Sequence, residues 1–336
     1  MAMGEAAFIA CRVHDVAVTT ISVFCNTFVL YVAASKTKKH DTYRYYLLVC
    51  SLLNIAYSLI MFLIDPEIHA DTEIVILYSD QTIFHHEVGE TVLLLFWTLS
   101  PLLLLATTTQ FIYRYVAICR EHCQSNSIHI LPVISTLLSL FFGFATFKYL
   151  GTGRHLEDDL YDHMMSVHNV DVRIVSMIGL EMLDEGVWVI PALLFIGGLF
   201  GSYILMTLIM LFCLSAIYRK WYHHYSAATA VQVQIVKTLV VQGIAPLLFN
   251  LVPIMLFIVL PLAGMHLSDY IHLVLSIIAW LPLVSALATL LLIRQYKLRF
   301  YAFLFCRSDA TITSLSSRIG ATSTSRNTVR TLQIGR

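Results

Sequence analysis

The sequence predicts an all-α membrane protein, a seven-transmembrane helix bundle with its amino terminus outside and a short amphipathic helix after the seventh span. Three observations carry this expectation. Hydrophobic residues make up 58% of the 336 residues and charged ones only 12%, with a mean hydropathy of +0.77; a soluble domain needs far more charge to cover its surface. Seven runs are long enough to span a bilayer, since ~20 residues at ~1.5 Å rise cross a ~30 Å hydrocarbon core. The basic residues gather on one side of the membrane that those runs define.

The runs are Val13–Ala34, Tyr45–Ile64, Thr91–Ile118, Ile128–Leu150, Val187–Tyr218, Ile235–Leu260 and Ile271–Ile293. The fifth exceeds the thickness of the core and is expected to tilt or to project into the cytoplasm. No span-length internal repeat is visible, which removes the simplest hint of an inverted-repeat transporter. About a dozen residues without a basic stretch precede the first apolar run, so no cleavable signal peptide is evident and the first span is expected to act as its own insertion signal.

Orientation follows from charge. Lys36, Lys38, Lys39 and Arg44 follow the first span, Arg120 the third, and Arg219 and Lys220 the fifth; Arg294, Lys297, Arg299, Arg307, Arg318, Arg326, Arg330 and Arg336 follow the seventh. With Arg114 and Lys237, about 17 of the 21 basic residues fall on one side, which the positive-inside rule makes cytoplasmic. Residues 1–306 then form the membrane domain, with outer loops at 65–90 and 151–185, and residues 307–336 form a cytoplasmic tail. Most acidic residues sit in the outer loops, in agreement but with little orienting force of their own. Of the seven cysteines only Cys11 is expected in the oxidising exterior, so a disulfide between the outer end of the third span and the loop 151–185 is impossible.

The third span ends in FIYRYVAICR, which puts Arg114 about one turn inside an apolar run. A charge at the bilayer centre costs about 2.5–3.5 kcal/mol, so such residues usually face protein or water. At the cytoplasmic helix end the guanidinium can hydrogen-bond the helix-end carbonyls of neighbouring spans or of a docked partner. The simpler alternative is an arginine that snorkels to the interface.

Seven spans with the amino terminus outside and an Arg-Tyr pair ending the third resemble the G-protein-coupled receptor architecture. The finer resemblance is to nematode chemoreceptors of the Str superfamily (the Str, Srd and Srj groups). It is carried by FIYRYVAI, by QIVKTLVVQGIAPLLFNLVPIMLFIV with Gln234, Lys237, Gln242, Pro246 and Pro253, and by LPLVSALATLLLIRQYK. The resemblance implies a receptor that binds a small odorant or pheromone and activates a heterotrimeric G protein through Arg114, Tyr115 and Lys237 at the inner ends of the third, fifth and sixth helices. It also implies the plasma membrane, in the cilium of a sensory neuron. The sequence departs from the rhodopsin-type pattern at three points. Tyr113 stands where an acidic residue usually precedes the arginine, Lys237 where a glutamate is usual, and Pro282 lies in AWLPLVS without the Asn-Pro-x-x-Tyr pattern. Resting closure therefore has to rest on packing and neutral hydrogen bonds, with Tyr113 or Tyr115 as candidates.

A movable sixth helix needs a weak point. Pro246 and Pro253 each remove a backbone hydrogen bond and clash with the preceding turn, and their spacing of seven puts both bends on nearly one face. With Pro282 they are the candidate hinges; static kinks that shape packing are the alternative. Stepping outward from Arg114 at helical spacing gives Thr107, Leu103, Ser100 and Phe96 along one stripe, with Trp97 beside it. Phe96 then lies ~27 Å above the arginine, in the outer half of the membrane. Apolar cavities between helices with a few polar groups are typical small-ligand sites, and Phe96, Trp97, Ser100, Asn250, Ser276 and Trp280 are the candidate lining. Ordinary packing is the alternative for each. Asn26 and Asn54 are expected to hydrogen-bond across helices as structural amides.

His155, Asp159 and His163 share a helical spacing of four but lack a fourth ligand. No metal and no cofactor are therefore predicted, and both outer loops read as a lid over the cavity. Cys306 follows the amphipathic QYKLRFYAFLFC and is a lipidation candidate, with a free thiol as the alternative. The Ser/Thr-rich basic tail is expected to be disordered. Phosphorylation would turn its charge acidic, a change that a kinase would make and an arrestin would read; a merely solvated tail is the alternative. No nucleic acid is expected as a partner.

The rival classes are a membrane transporter or ligand-gated channel, and an enzyme. The first needs ion-coupling carboxylates or a charged path at mid-membrane, and no acidic residue lies centrally in any span. The second needs a motif able to activate water or a nucleophile, and the spans hold no HExxH, no GxSxG and no aspartate pair.

Overall fold

The computed structural model describes residues 5–35, 42–70, 74–79, 86–119, 176–181, 227–253 and 271–305, with scattered positions between 133 and 141, between 201 and 219, and at 255–256. Most of the fourth span, Cys306, His155, Asp159, His163 and the tail lie outside the described residues.

The helices are α1 (Glu5–Ala34), α2 (Thr42–Ile64), α3 (His86–Cys119), α4 (Ala227–Pro246), α5 (Ile271–Ile278), α6 (Trp280–Leu292) and α7 (Arg294–Leu304). Among the described residues, Ile9–Ala34, Arg44–Ile64, Val88–Tyr113 and Val274–Leu292 are long and apolar enough to cross a membrane, with shorter apolar helical stretches at Tyr203–Ala216 and Val236–Leu251. They correspond to the first, second, third, seventh, fifth and sixth predicted spans. α3 begins at His86, inside the stretch read from sequence as outer loop.

Unlike a soluble bundle, this one is apolar on its outer surface as well as in its core. On α1, Val18, Ser22, Cys25, Val29 and Val32 are buried at alternating steps of four and three, together with Asn26, while Val13, Val16, Ile21, Phe24 and Tyr31 are exposed. The stripe facing the bundle thus carries the polar groups, and the exposed face is oily, as a lipid solvent requires. α1 packs mainly on α2 and α6, α2 on α3, and α4 on α6 and α3.

The ends of the helices have local causes. α2 stops at Asp65, whose φ of 41° is left-handed, a conformation that aspartate tolerates better than most residues. Its N–H still reaches the Met61 carbonyl at 3.0 Å, and Pro66 cannot extend the helix. The seventh span breaks into α5 and α6 at Ala279 because Pro282 has no N–H for the Ile278 carbonyl. In the sixth span, α4 passes at Pro246 into a π-helical turn, Leu247–Leu251, closed by the Val252 N–H donating to the Leu247 carbonyl. Wide turns of this kind are rare and cluster at functional sites.

The outer loops add an element that the sequence reading did not contain. β1 (Pro66–Ala70), β2 (Ile74–Ser79) and β3 (Ser176–Glu181) form an antiparallel sheet in the order β1-β2-β3. Pro66 pairs with Ser79 and Ala70 with Val75; Ile74 pairs with Glu181 and Ser79 with Ser176. The sheet thus joins the two outer loops and packs on α3 and α5. At the opposite end α7 folds back on α1. Its buried Phe300 meets the Phe28 ring at 5.3 Å, and Arg299 donates to Ser35 Oγ, while Tyr301 and Leu304 stay exposed. This is the amphipathic helix after the seventh span.

Candidate functional site

Among the described residues, two of the polar clusters within the bundle divide the predicted ligand-lining residues between them. In the first, the Ser100 hydroxyl of α3 donates to Asn250 Oδ1 at 3.2 Å. Asn250 sits in the π-helical turn and is buried. The Tyr57 ring of α2 stacks on Phe96 at 5.1 Å. From the fifth span the Tyr203 hydroxyl donates to the Pro246 carbonyl at 2.6 Å and interacts with the Asn250 amide. The kink thereby gains a partner for a carbonyl at the point where proline has disturbed the helix. Phe96, Ser100 and Asn250 come together, then, around a weak point of the sixth span. Pro253 closes the same stretch and is buried. Trp97 packs against the main apolar core.

Ser276 and Trp280 belong to the second cluster, at the outer ends of α1 and the seventh span. The Ser276 hydroxyl donates to Asp15 Oδ2 at 2.9 Å, and Trp280 Nε1 donates to His14 Nε2 at 3.0 Å. An indole N–H can only donate, so Nε2 accepts, and the ring proton on Nδ1 points to Asp15 Oδ1 at 2.9 Å. His14 and Asp15 were not among the predicted residues. Their only signal in the sequence is a His-Asp pair just inside the outer end of the first span.

A third group ties α1, α2 and α6 together. Asn26 Nδ2 donates to the Ser22 and Pro282 carbonyls at 2.9 and 3.2 Å, Asn54 Nδ2 donates to Asn26 Oδ1 at 3.0 Å, and Ser22 and Ser58 share a hydrogen bond. Asn26 and Asn54 are thus interhelical structural amides. Pro282, buried in α6, supplies one of their acceptors.

Toward the inner side, the backbone of α3 carries Arg114 and Tyr115 in its last turns, and their side chains lie outside the described residues. One turn outward, Gln110 donates to Cys50 Sγ on α2. Tyr113 packs its ring on Tyr46 of α2 at 5.1 Å, in the seam between α2 and α3. Across from α3, Gln242 of α4 donates to Thr289 Oγ1 at 3.0 Å and to the Ser285 carbonyl at 3.3 Å on α6. Next to it Gly243 allows close approach: a Cβ there would lie 3.0 Å from Phe111 Cζ of α3. Lys237, further inward on α4, is exposed.

Over residues 12–301 the sequence matches the family described as Serpentine type 7TM GPCR chemoreceptor Str, and the chain belongs to that family. No curated protein matches it. The protein is accordingly a multi-pass membrane protein of a receptor class, with a seven-helix architecture.

Proposed function

We propose that this Str-family receptor sits in the plasma membrane of a sensory neuron, at the cilium, and reports a small environmental chemical or pheromone to a heterotrimeric G protein. The ligand binds between the helices in the outer half, against the stripe Phe96, Trp97 and Ser100 and near Asn250, Ser276 and Trp280. Arg114, Tyr115 and Lys237 form the inner surface that the G protein meets. The observation that carries this reading is the hydrogen bond from Ser100 to Asn250. It links the predicted ligand stripe of α3 to the π-helical turn between Pro246 and Pro253, where the sixth span has lost regular hydrogen bonds. A ligand that binds better when the inner part of this span swings away shifts the population toward that state; equal binding to both states would shift nothing.

Members of the family are receptors, and the finer roles of Arg114 and of the cavity can be tested in cells. The receptor is expressed with a promiscuous G protein and screened against volatile and soluble chemicals, beside an Arg114→Ala variant at matched surface expression. The reading predicts responses that need the G protein and disappear in the variant. A ligand-gated current that persists without any G protein would replace it with a channel.

A further inference from the structure

A cavity of about 230 Å³ opens at the outer ends of α1, α2 and α5, away from the Phe96–Ser100–Asn250 cluster. Its polar wall is formed by Arg12, Asp15, Thr19 and Asp65, and its apolar wall includes Met61 and Leu275. Val16, Phe62 and Leu63 complete it on the side of the bundle that is 47%, 51% and 40% exposed at these residues, an apolar face that lipid covers.

The charges in this wall do not cancel. Arg12 and Asp65 form an ion pair at 2.6 Å that ties the start of α1 to the left-handed residue ending α2. Asp15 is the second carboxylate, held in place by the Ser276 hydroxyl and by His14, whose Nε2 accepts from Trp280 and leaves the ring neutral. Among the described residues that line the cavity, one guanidinium stands against two carboxylates. The Asp15 carboxylate is held by donors without charge, is 30% exposed, and has room for more hydrogen bonds, since a carboxylate offers about four lone-pair sites. Thr19 lies one helical turn further in on the same face of α1.

We propose that this cavity binds a small amphiphilic amine. Its ammonium group meets the Asp15 carboxylate and balances the wall's charge, and its hydrocarbon chain runs along Met61 and Leu275. A carboxylate makes shorter and stronger hydrogen bonds to a charged donor than to a neutral one. The Arg12–Asp65 pair, fastened where the backbone of α2 ends, fixes the outer rim. Through the hydrogen bond between Ser276 and Asp15 this site adjoins residues assigned to the intrahelical ligand, but its test involves no G protein. Its failure would leave the signalling reading standing, and the reverse holds too.

The full chain in lipid nanodiscs is titrated with n-hexylamine, with 1-hexanol and with hexanoate, and its thermal midpoint is followed, since a ligand that binds only the folded state raises it. Hexylamine is expected to raise the midpoint at lower concentration than hexanol, and hexanoate to have no effect. Asp15→Asn is expected to weaken hexylamine by about tenfold or more, the loss of one charge-assisted hydrogen bond, and to leave hexanol unchanged. Thr19→Leu, which fills the cavity without touching the carboxylate, is expected to remove the response to both and serves if Asp15→Asn does not fold. An equal hexylamine response in wild type and Asp15→Asn would overturn the charge assignment. An equal response in wild type and Thr19→Leu would overturn the site.

Discussion

Replacing Gly243 by valine tests whether the seam between α3 and the sixth span is the closed gate. The added Cβ would stand 3.0 Å from Phe111 Cζ, 3.4 Å from Phe111 Cε2 and 3.7 Å from Met206 Cε, whereas carbon atoms pack best at about 3.5–4.0 Å. Phe111 is 1% exposed and is enclosed by Leu104, Tyr203, Met206 and Leu239, so its ring has little space to withdraw. The two further methyls of valine deepen the overlap. Overpacking of this kind costs about 1–3 kcal/mol. If the cost falls only on the arrangement with α4 against α3, the equilibrium shifts toward the parted arrangement by about 5- to 150-fold. The assay is nucleotide exchange on the G protein by purified, reconstituted receptor without ligand, at equal amounts of folded protein. Gly243→Val is expected to raise basal exchange several-fold, and Phe111→Leu in the same chain to reverse most of the rise by removing the ring tip. Basal exchange at or below wild type, or a rise that Phe111→Leu does not touch, would refute the gate.

Two further substitutions separate architecture from signalling. Asn26→Ala removes donors to the Ser22 and Pro282 carbonyls and leaves the Asn54 amide without its acceptor. Interhelical hydrogen bonds in membranes average ~0.6 kcal/mol and reach ~1.7, so a loss of about 1–2 kcal/mol is expected in reversible unfolding in mixed micelles, and unchanged stability would argue against the network. Asn250→Ala breaks the link to Ser100 at a cost of about 1 kcal/mol. It is expected to shift the concentration dependence for any chemical that activates the wild type, whereas an unaltered dose–response would detach the π-helical turn from ligand sensing.

The parts of the fold that were legible from sequence are those set by length and composition. Span number, orientation and the amphipathic helix after the seventh span follow from runs of about 20 apolar residues and from where lysine and arginine fall. Asn26 and Asn54 could be read as structural because an amide in a greasy helix needs a partner from another helix. What stayed hidden depends on which helices meet. Nothing local in EAAFIACRVHD announces that His14 and Asp15 will face Trp280 and Ser276, some 260 residues away. The π-helical turn was half visible: two prolines seven apart predict a disturbed helix, but not that Tyr203 of another span would bond the Pro246 carbonyl. The sheet left a fainter trace, since IVILYS is rich in β-branched residues, a strand preference, yet its pairing with Ser176–Glu181 joins loops nearly a hundred residues apart. Gly243 has meaning only once Phe111 is opposite it.

Signalling by this receptor requires the inner end of the sixth span to part from the rest of the bundle when a G protein engages. Spin labels at Lys237→Cys on α4 and Lys297→Cys on α7, both exposed positions, report this separation directly by pulsed electron resonance in the full chain, made in a background without other reactive cysteines. Adding nucleotide-free heterotrimeric G protein is predicted to move the distance distribution to longer values, and Arg114→Ala to keep it at the resting value. A distribution that the G protein leaves unchanged, in receptor shown to bind it, would contradict the claim.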